Sequence, residues 1–302
     1  MPDEGVLDPW VAEWLAANPL PDELSPDLVE LARGSFDLPV NRAIARVRDE
    51  VVAAVPCRLY EHEQAPTGLV VYFHGGGWCI GSVALMDNVA RELAHATGAA
   101  VISVGYRLAP EDPYPAGLDD CEAVTRWALE HSSAFGVEPD RVVVAGESAG
   151  GNLAAAVCLR LRDAGAGLRP AGQVLIYPVL DAEGSDHASR KEFSHLVVSD
   201  EQGRWFWSSY CAGRDLGDDP YAVPLRAARL ADLPPALVVL GGCDRLRDEG
   251  RAYARRLAAA GVDTEEVCYA GQPHGFVNFD LPASKEAMAL IGRWAQARLG
   301  RG

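Results

Sequence analysis

A serine with glycine two places to either side, Gly146-Glu147-Ser148-Ala149-Gly150, follows the apolar run VVVA and leads at once into a small-residue helical pattern. A hydroxyl projected from so tight a strand-to-helix turn is exposed for attack, and the crowding there leaves no room for side chains at the flanking positions. The competing reading is a phosphate loop at a helix N-terminus, but no G-K-S/T follows. A serine hydroxyl is a poor nucleophile until a base takes its proton, so a histidine and an orienting carboxylate are required. Of the seven histidines, His62, His131 and His187 lie in polar stretches expected to be solvated, His95 in a surface helix, His195 in an aromatic insertion and His74 in a glycine loop. His274, in AGQPHGF, remains as the base. Asp244 follows directly on the run VVLGGC and is the candidate acid, whereas Asp248 and Glu249 lie one turn further on and are expected to face solvent or cap a helix. Upstream, His74-Gly75-Gly76-Gly77-Trp78 leaves three successive backbone N–H groups unobstructed, which suits a developing oxyanion.

Such residues need a scaffold that brings strand ends together. Strands are expected near 47–52, 57–60, 69–73 and 99–104, before Ser148, and at 174–177, with helices over about 86–97 and 116–131 and directly after Ser148. Apolar runs alternating with helices mean βαβ units and a parallel sheet covered on both faces. The alternation breaks between Asp181 and Pro224, a segment holding Phe193, Trp205, Phe206, Trp207 and Tyr210; an insertion of that length inside a compact domain is usually functional. Sheet logic resumes with strands at 235–242 and 265–269 and helices near 246–260 and 283–299. Residues 1 to about 45 carry helical stripes instead, Trp10, Val11, Trp14 and Leu15, then Leu28, Val29, Leu31 and Ala32 after a Ser25-Pro26 start. Periodicity leaves open whether these helices roof a pocket or pack as an arm on the body.

The stretches VVYFHGGGWCIGS, SVGYRLAPEDPYPAGLDDC, VVVAGESAGGNLA, VLIYPVLD, GGCDRLRDEG and PHGF, spanning roughly 58–274, resemble the hormone-sensitive-lipase-like, or bacterial family IV, carboxylesterases of the α/β-hydrolase fold. The resemblance implies a mostly parallel eight-stranded sheet flanked by helices. It also implies a helical cap, formed by residues 1–45 and by an insertion at about 181–224 in a catalytic domain 46–302. Ser148, Asp244 and His274 stand in the chain order expected of that fold. By the same resemblance the N–H groups of Gly76, Gly77 and Ala149 form the oxyanion hole, His74 and Gly75 keep the glycine loop in shape, and Glu147 fixes neighbouring loops. Two positions depart from the family pattern. Asp244-Arg245-Leu246 replaces the usual Asp-Pro-Leu, so the loop loses a rigid φ and gains a charge, and Asp112 stands where a histidine is common.

The expected reaction is hydrolysis of carboxylic esters through an acyl-enzyme. Trp78, Trp205, Phe206 and Tyr210 are candidate lining for an apolar pocket of limited depth, taking short to medium acyl chains, although packing of the cap on the body would use the same residues. An amidase, N-deacetylase or lactonase could employ the same triad. A non-catalytic pseudo-hydrolase would keep only the pocket, and the presence of all three triad residues speaks against it. At 302 residues and 49% apolar the chain can bury an ordinary core, and its formal charge of −16 disfavours nucleic acid and anionic membranes as partners. No apolar stretch has the length of a membrane span, and the acidic N-terminus lacks a secretory pattern, so a cytoplasmic location is expected. The seven scattered cysteines suggest neither disulfides nor zinc, and neither a metal nor another cofactor is expected. The expected partner is a small-molecule ester, and the strand near Val267, if it forms a sheet edge, would permit a homodimer.

Overall fold

The computed structural model describes residues 5–19, 21, 23–34, 39–165 and 167–300. Parts of the N-terminal stretch read above as helical, residues 1–4, 20, 22 and 35–38, lie outside the described residues. Eight strands form one sheet: β1 (Arg46–Val52), β2 (Val55–Glu61), β3 (Leu69–Phe73), β4 (Ala100–Val104), β5 (Val142–Glu147), β6 (Gly172–Ile176), β7 (Ala236–Cys243) and β8 (Thr264–Pro273). Their spatial order is β1-β2-β4-β3-β5-β6-β7-β8. Only the β1/β2 and β2/β4 pairs are antiparallel. The mostly parallel eight-stranded sheet expected from the sequence is therefore the one observed.

Every residue of β3, β4, β5 and β6 is buried, because helices cover both faces. Successive side chains point to opposite sides, so each strand feeds two cores. On one side Val71, Val144 and Leu240 pack under α4 (Ala116–His131), α5 (Ala149–Ala164) and α8 (Arg247–Ala259). On the other, Val70, Val143 and Val239 pack under α3 (Asp87–Thr97) and α9 (Pro282–Leu299). Each such side chain contributes about 1.5–3 kcal/mol on burial, which is why uninterrupted apolar runs, rather than alternating ones, mark these strands.

Between β6 and β7 the chain leaves the sheet and forms α6 (Ala188–Glu192) and α7 (Asp200–Cys211). Helix α7 starts at a capping box in which Ser199 accepts from the Gln202 N–H and the Gln202 side chain accepts from the Ser199 N–H. Near the N-terminus, α1 (Pro9–Ala17) and α2 (Pro26–Arg33) are capped by Asp8 and Ser25, each with proline at the first helical position. Neither contributes much to a core: Val11 is the only buried residue of α1, and α2 has none. Trp14 of α1 packs on the Phe279 ring at 5.0 Å between centroids, and polar ties hold α2. Arg33 donates from Nε to Cys79 O at 2.6 Å and from Nη2 to Ala109 O at 2.6 Å, and the Gly81 N–H donates to Ala32 O at 3.0 Å.

Three expectations about polar residues fail. His62 is half-buried rather than solvated, its Nε2 2.9 Å from Ala94 O. Glu249 neither faces solvent nor caps α8; it is fully buried, accepting from the Leu180 and Asp181 N–H groups and from Arg190. His187 is half-buried rather than solvated and lies 3.0 Å from Asp181. For His62 and Glu249 a polar local sequence hides a distant partner that makes burial tolerable, whereas the partner of His187 lies six positions away in the same segment.

Candidate active site

The C-terminal ends of β5, β7 and β8 meet at one point. Ser148 follows β5 with φ +54° and ψ −119°, backbone that L-residues rarely adopt. The turn is possible because its flanks are bare: a Cβ on Gly146 would come within 2.1 Å of Gly150 O, and one on Gly150 within 2.0 Å of Phe73 O. The His274 ring reaches over from the end of β8. Its Nε2 lies 2.9 Å from Ser148 Oγ and its Nδ1 lies 2.8 Å from Asp244 Oδ2. A carboxylate only accepts, so Nδ1 carries the proton and the lone pair of Nε2 is turned to the serine hydroxyl. The other oxygen of Asp244 accepts from the Leu246 N–H at 2.8 Å, which fixes the plane of the carboxylate. All three side chains are largely buried, and the Tyr177 ring packs edge-on against the imidazole at 4.9 Å between centroids.

The glycine loop lies alongside. Gly76 and Gly77 have φ of +115° and +56°, and a Cβ on Gly77 would come within 2.3 Å of the Phe206 ring. Their N–H groups donate to no acceptor among the described residues. Ala149 opens α5, where a first-turn N–H has no intrahelical acceptor. His74 is buried, and burial lowers its pKa to about 4, so the ring is neutral near pH 7. Its Nδ1 donates to Gly75 O at 2.7 Å, and Tyr106 stacks on the ring and donates to His74 O at 2.8 Å. Beneath the turn, Glu147 accepts from Tyr72 at 3.0 Å, Tyr177 at 2.5 Å and Asn278 at 3.1 Å.

Ser148 and His274 open into a cavity of about 370 Å³, with Trp78, Ile80, Val198, Phe206 and Trp207 among its walls. Of the four aromatic residues expected to line it, Trp78 and Phe206 do and the other two do not. Trp205 points to the opposite side of α7, into a separate depression with Pro26 and Val29 of α2. Tyr210 is fully buried and stacks behind Trp78 at 4.2 Å. Residues along a helix rotate by about 100° each, so a run of aromatics cannot all face one cavity. Trp207, Tyr177 and Asn278 are cavity residues that the sequence reading does not single out; the place of Trp207 in the aromatic run beside Phe206 is the signal for the first, and no local pattern marks the other two.

A profile for the alpha/beta hydrolase fold matches residues 70–278. Carboxylesterase NlhH of Mycobacterium tuberculosis is 41% identical over 242 residues, 77% of this chain and 75% of that protein. An ethyl acetate hydrolase of Pseudomonas putida is 35% identical over 251 residues, 81% and 79% of the two chains. Among solved structures, the hyperthermophilic esterase of the archaeon Pyrobaculum calidifontis superposes with a TM-score of 0.86 at 36% identity, covering 97% of this chain and 98% of its own. The profile spans most of the chain, the sequence relatives match over at least three quarters of both chains, and the structural likeness extends over nearly the whole of both. The chain belongs to the α/β-hydrolase fold family, within its hormone-sensitive-lipase-like branch of carboxylic ester hydrolases.

Proposed function

We propose that this chain hydrolyses short- to medium-chain carboxylic esters through an acyl-enzyme on Ser148. The observation that carries this reading is the unbroken chain of hydrogen bonds from Asp244 through His274 to Ser148 Oγ, beside the free amides of Gly76 and Gly77. His274 Nε2 takes the hydroxyl proton as Oγ attacks the ester carbonyl, and Asp244 stabilises the imidazolium that results. The N–H groups of Gly76, Gly77 and Ala149 receive the oxyanion. His274 then returns the proton to the leaving alcohol and afterwards activates a water that releases the acid. His74, held neutral by burial and tied to Gly75 O, shapes the glycine loop and exchanges no proton with substrate.

The described parts of residues 1–45, together with the segment 181–224, act as a cap: Leu24 from the first and Phe206 and Trp207 from the second reach the cavity. A volume of about 370 Å³ lies toward the small end of the roughly 300–1,000 Å³ range of ligand sites, which favours small esters. The short ester in the name of the Pseudomonas putida relative agrees with this. The test is a p-nitrophenyl ester series from acetate to palmitate, run beside matched anilides, on the native chain and on Ser148→Ala. Activity should peak at short to medium chains, esters should exceed anilides, and Ser148→Ala should lose at least about 10⁴-fold in kcat. A peak at palmitate would overturn the size assignment, equal anilide turnover the choice of bond, and an active Ser148→Ala the nucleophile.

A further inference from the structure

The residue after the catalytic-acid candidate is an arginine, and its side chain points away from the triad into the cap. Asp244 does not depend on it, being held by the Leu246 N–H and by His274. The guanidinium of Arg245 is 2% exposed. It donates from Nη1 to Ser199 O at 2.6 Å, and from Nη2 to Glu183 Oε1 at 2.8 Å and Asp200 Oδ1 at 3.0 Å. These acceptors are the N-cap and first residue of α7 and a carboxylate early in the insertion. The first turn of α7 is shaped to receive the group: a Cβ on Gly203 would come within 2.5 Å of Nη1. The ion pairs continue inward, since Glu183 Oε2 accepts from Arg190 at 2.8 Å and Arg190 donates to the buried Glu249 at 2.8 Å. One turn beyond Gly203, Phe206 and Trp207 form the aromatic wall of the cavity that also holds Ser148. A proline at position 245 could make none of these contacts.

We propose that Arg245 is a specificity-determining residue. Its guanidinium, seated on Glu183, Asp200 and the Ser199 carbonyl, fixes α7 relative to Ser148 and so sets the depth of the cavity and the acyl length it accepts. This rests on the reading of that cavity as the substrate pocket of a Ser148 esterase. The cap is clamped to the same loop that presents the acid, yet the clamp acts on binding rather than on proton transfer, because Asp244 is held by the Leu246 N–H and His274 and shares neither partner with Arg245.

Arg245→Met removes the cation and keeps the apolar stem. It orphans no buried carboxylate, since Glu183 keeps Arg190 and Asp200 is half-exposed. Glu183→Gln is the second variant, loosening the same joint from the cap side. KM and kcat are measured for p-nitrophenyl acetate through octanoate, with active sites counted by fluorophosphonate labelling. In both variants KM for the preferred chain should rise roughly tenfold, more than kcat changes, and the optimum should broaden toward longer chains. Arg245→Lys, which retains a cation able to reach Glu183, should keep a narrower optimum than Arg245→Met. An unchanged length profile in both variants with normal labelling would overturn the proposal. So would a fall in kcat that is the same on every chain length at constant KM, which would make Arg245 a triad-positioning residue. Failure of the native chain to take the label at Ser148 would instead sink the underlying esterase reading.

Discussion

Glu147 never touches the reacting atoms in the scheme above, yet donors from three different stretches converge on its carboxylate: Tyr72 on β3, Tyr177 after β6 and Asn278 beyond His274. Two of these stretches carry groups that border the imidazole. Glu147→Gln exchanges one acceptor oxygen for an amide donor, which must then face an O–H or N–H. The loop bearing His274 should shift by a fraction of an ångström, and misplacement on the scale of 1 Å is worth up to about 10²-fold. Steady-state kinetics should therefore give a kcat lowered by about 10–100-fold with KM within about twofold. An equal rise in KM would mean that Glu147 shapes the pocket instead. At this scale the sequence was legible where spacing is rigid. Ser148, Gly146 and Gly150 declare themselves because only one backbone path fits G-x-S-x-G, and His274 and Asp244 stand immediately beyond strands. Tyr177 and Asn278 were illegible because their role is a tertiary approach to Glu147.

Among the elements, the joint between the insertion and α8 carries a titratable pair. Asp181 accepts from His187 at 3.0 Å, and that hydrogen bond, opposed by burial and helped by Glu249, raises the imidazole pKa above the ordinary 6.5. Burial alone would raise the Asp181 carboxyl, but His187, the Ala182 N–H and Arg226 outweigh it and bring it down to about 2. A folded-state pKa raised for histidine means that protonated His187 favours folding, fully below pH 6.5 and progressively less as pH rises through the raised value. The Asp181 share is present above pH 3.8 and is lost as pH falls toward 2. Melting temperatures taken at a series of pH values upward from 5.5 should decline above about 6.5, and His187→Gln should flatten that decline. A variant that follows the native curve would show that the pair contributes nothing to folding. Strands β3, β4 and β7 could be read to within one residue at each end, because a run buried on both faces is apolar throughout, whereas β8, partly exposed along much of its length, runs four residues past its expected end at Tyr269. The environment of Glu249 and His187 could not, since a charge reveals nothing of the partner that folding brings to it.

Over the whole molecule, the sheet order places β8 at an edge, with β7 its only strand neighbour among the described residues. Glu265 and Glu266 are exposed along that strand, and acidic side chains on an edge discourage pairing with another sheet. At the other end of β8 the Asp8 N–H donates to Gly271 O at 2.9 Å, so the stretch before α1 covers the part of the strand nearest His274. Ser148, by contrast, sits at the end of a central strand. The proposed nucleophile and its proposed base are thus joined to the molecule with unequal security, and edges open more readily than centres. In a urea titration, ester hydrolysis should be lost at a lower midpoint than tryptophan fluorescence; coincident midpoints would show that β8 unfolds with the rest.

The same asymmetry has a meaning in time. Ser148 and His274 are separated by 126 positions in the chain. During synthesis the serine, its strained turn and the glycine loop are all made well before the strand that brings the base. On the proposed mechanism an emerging chain holds an inert hydroxyl until β8 docks against β7, and reactivity of Ser148 toward a fluorophosphonate would then be a clock for the last step of assembly.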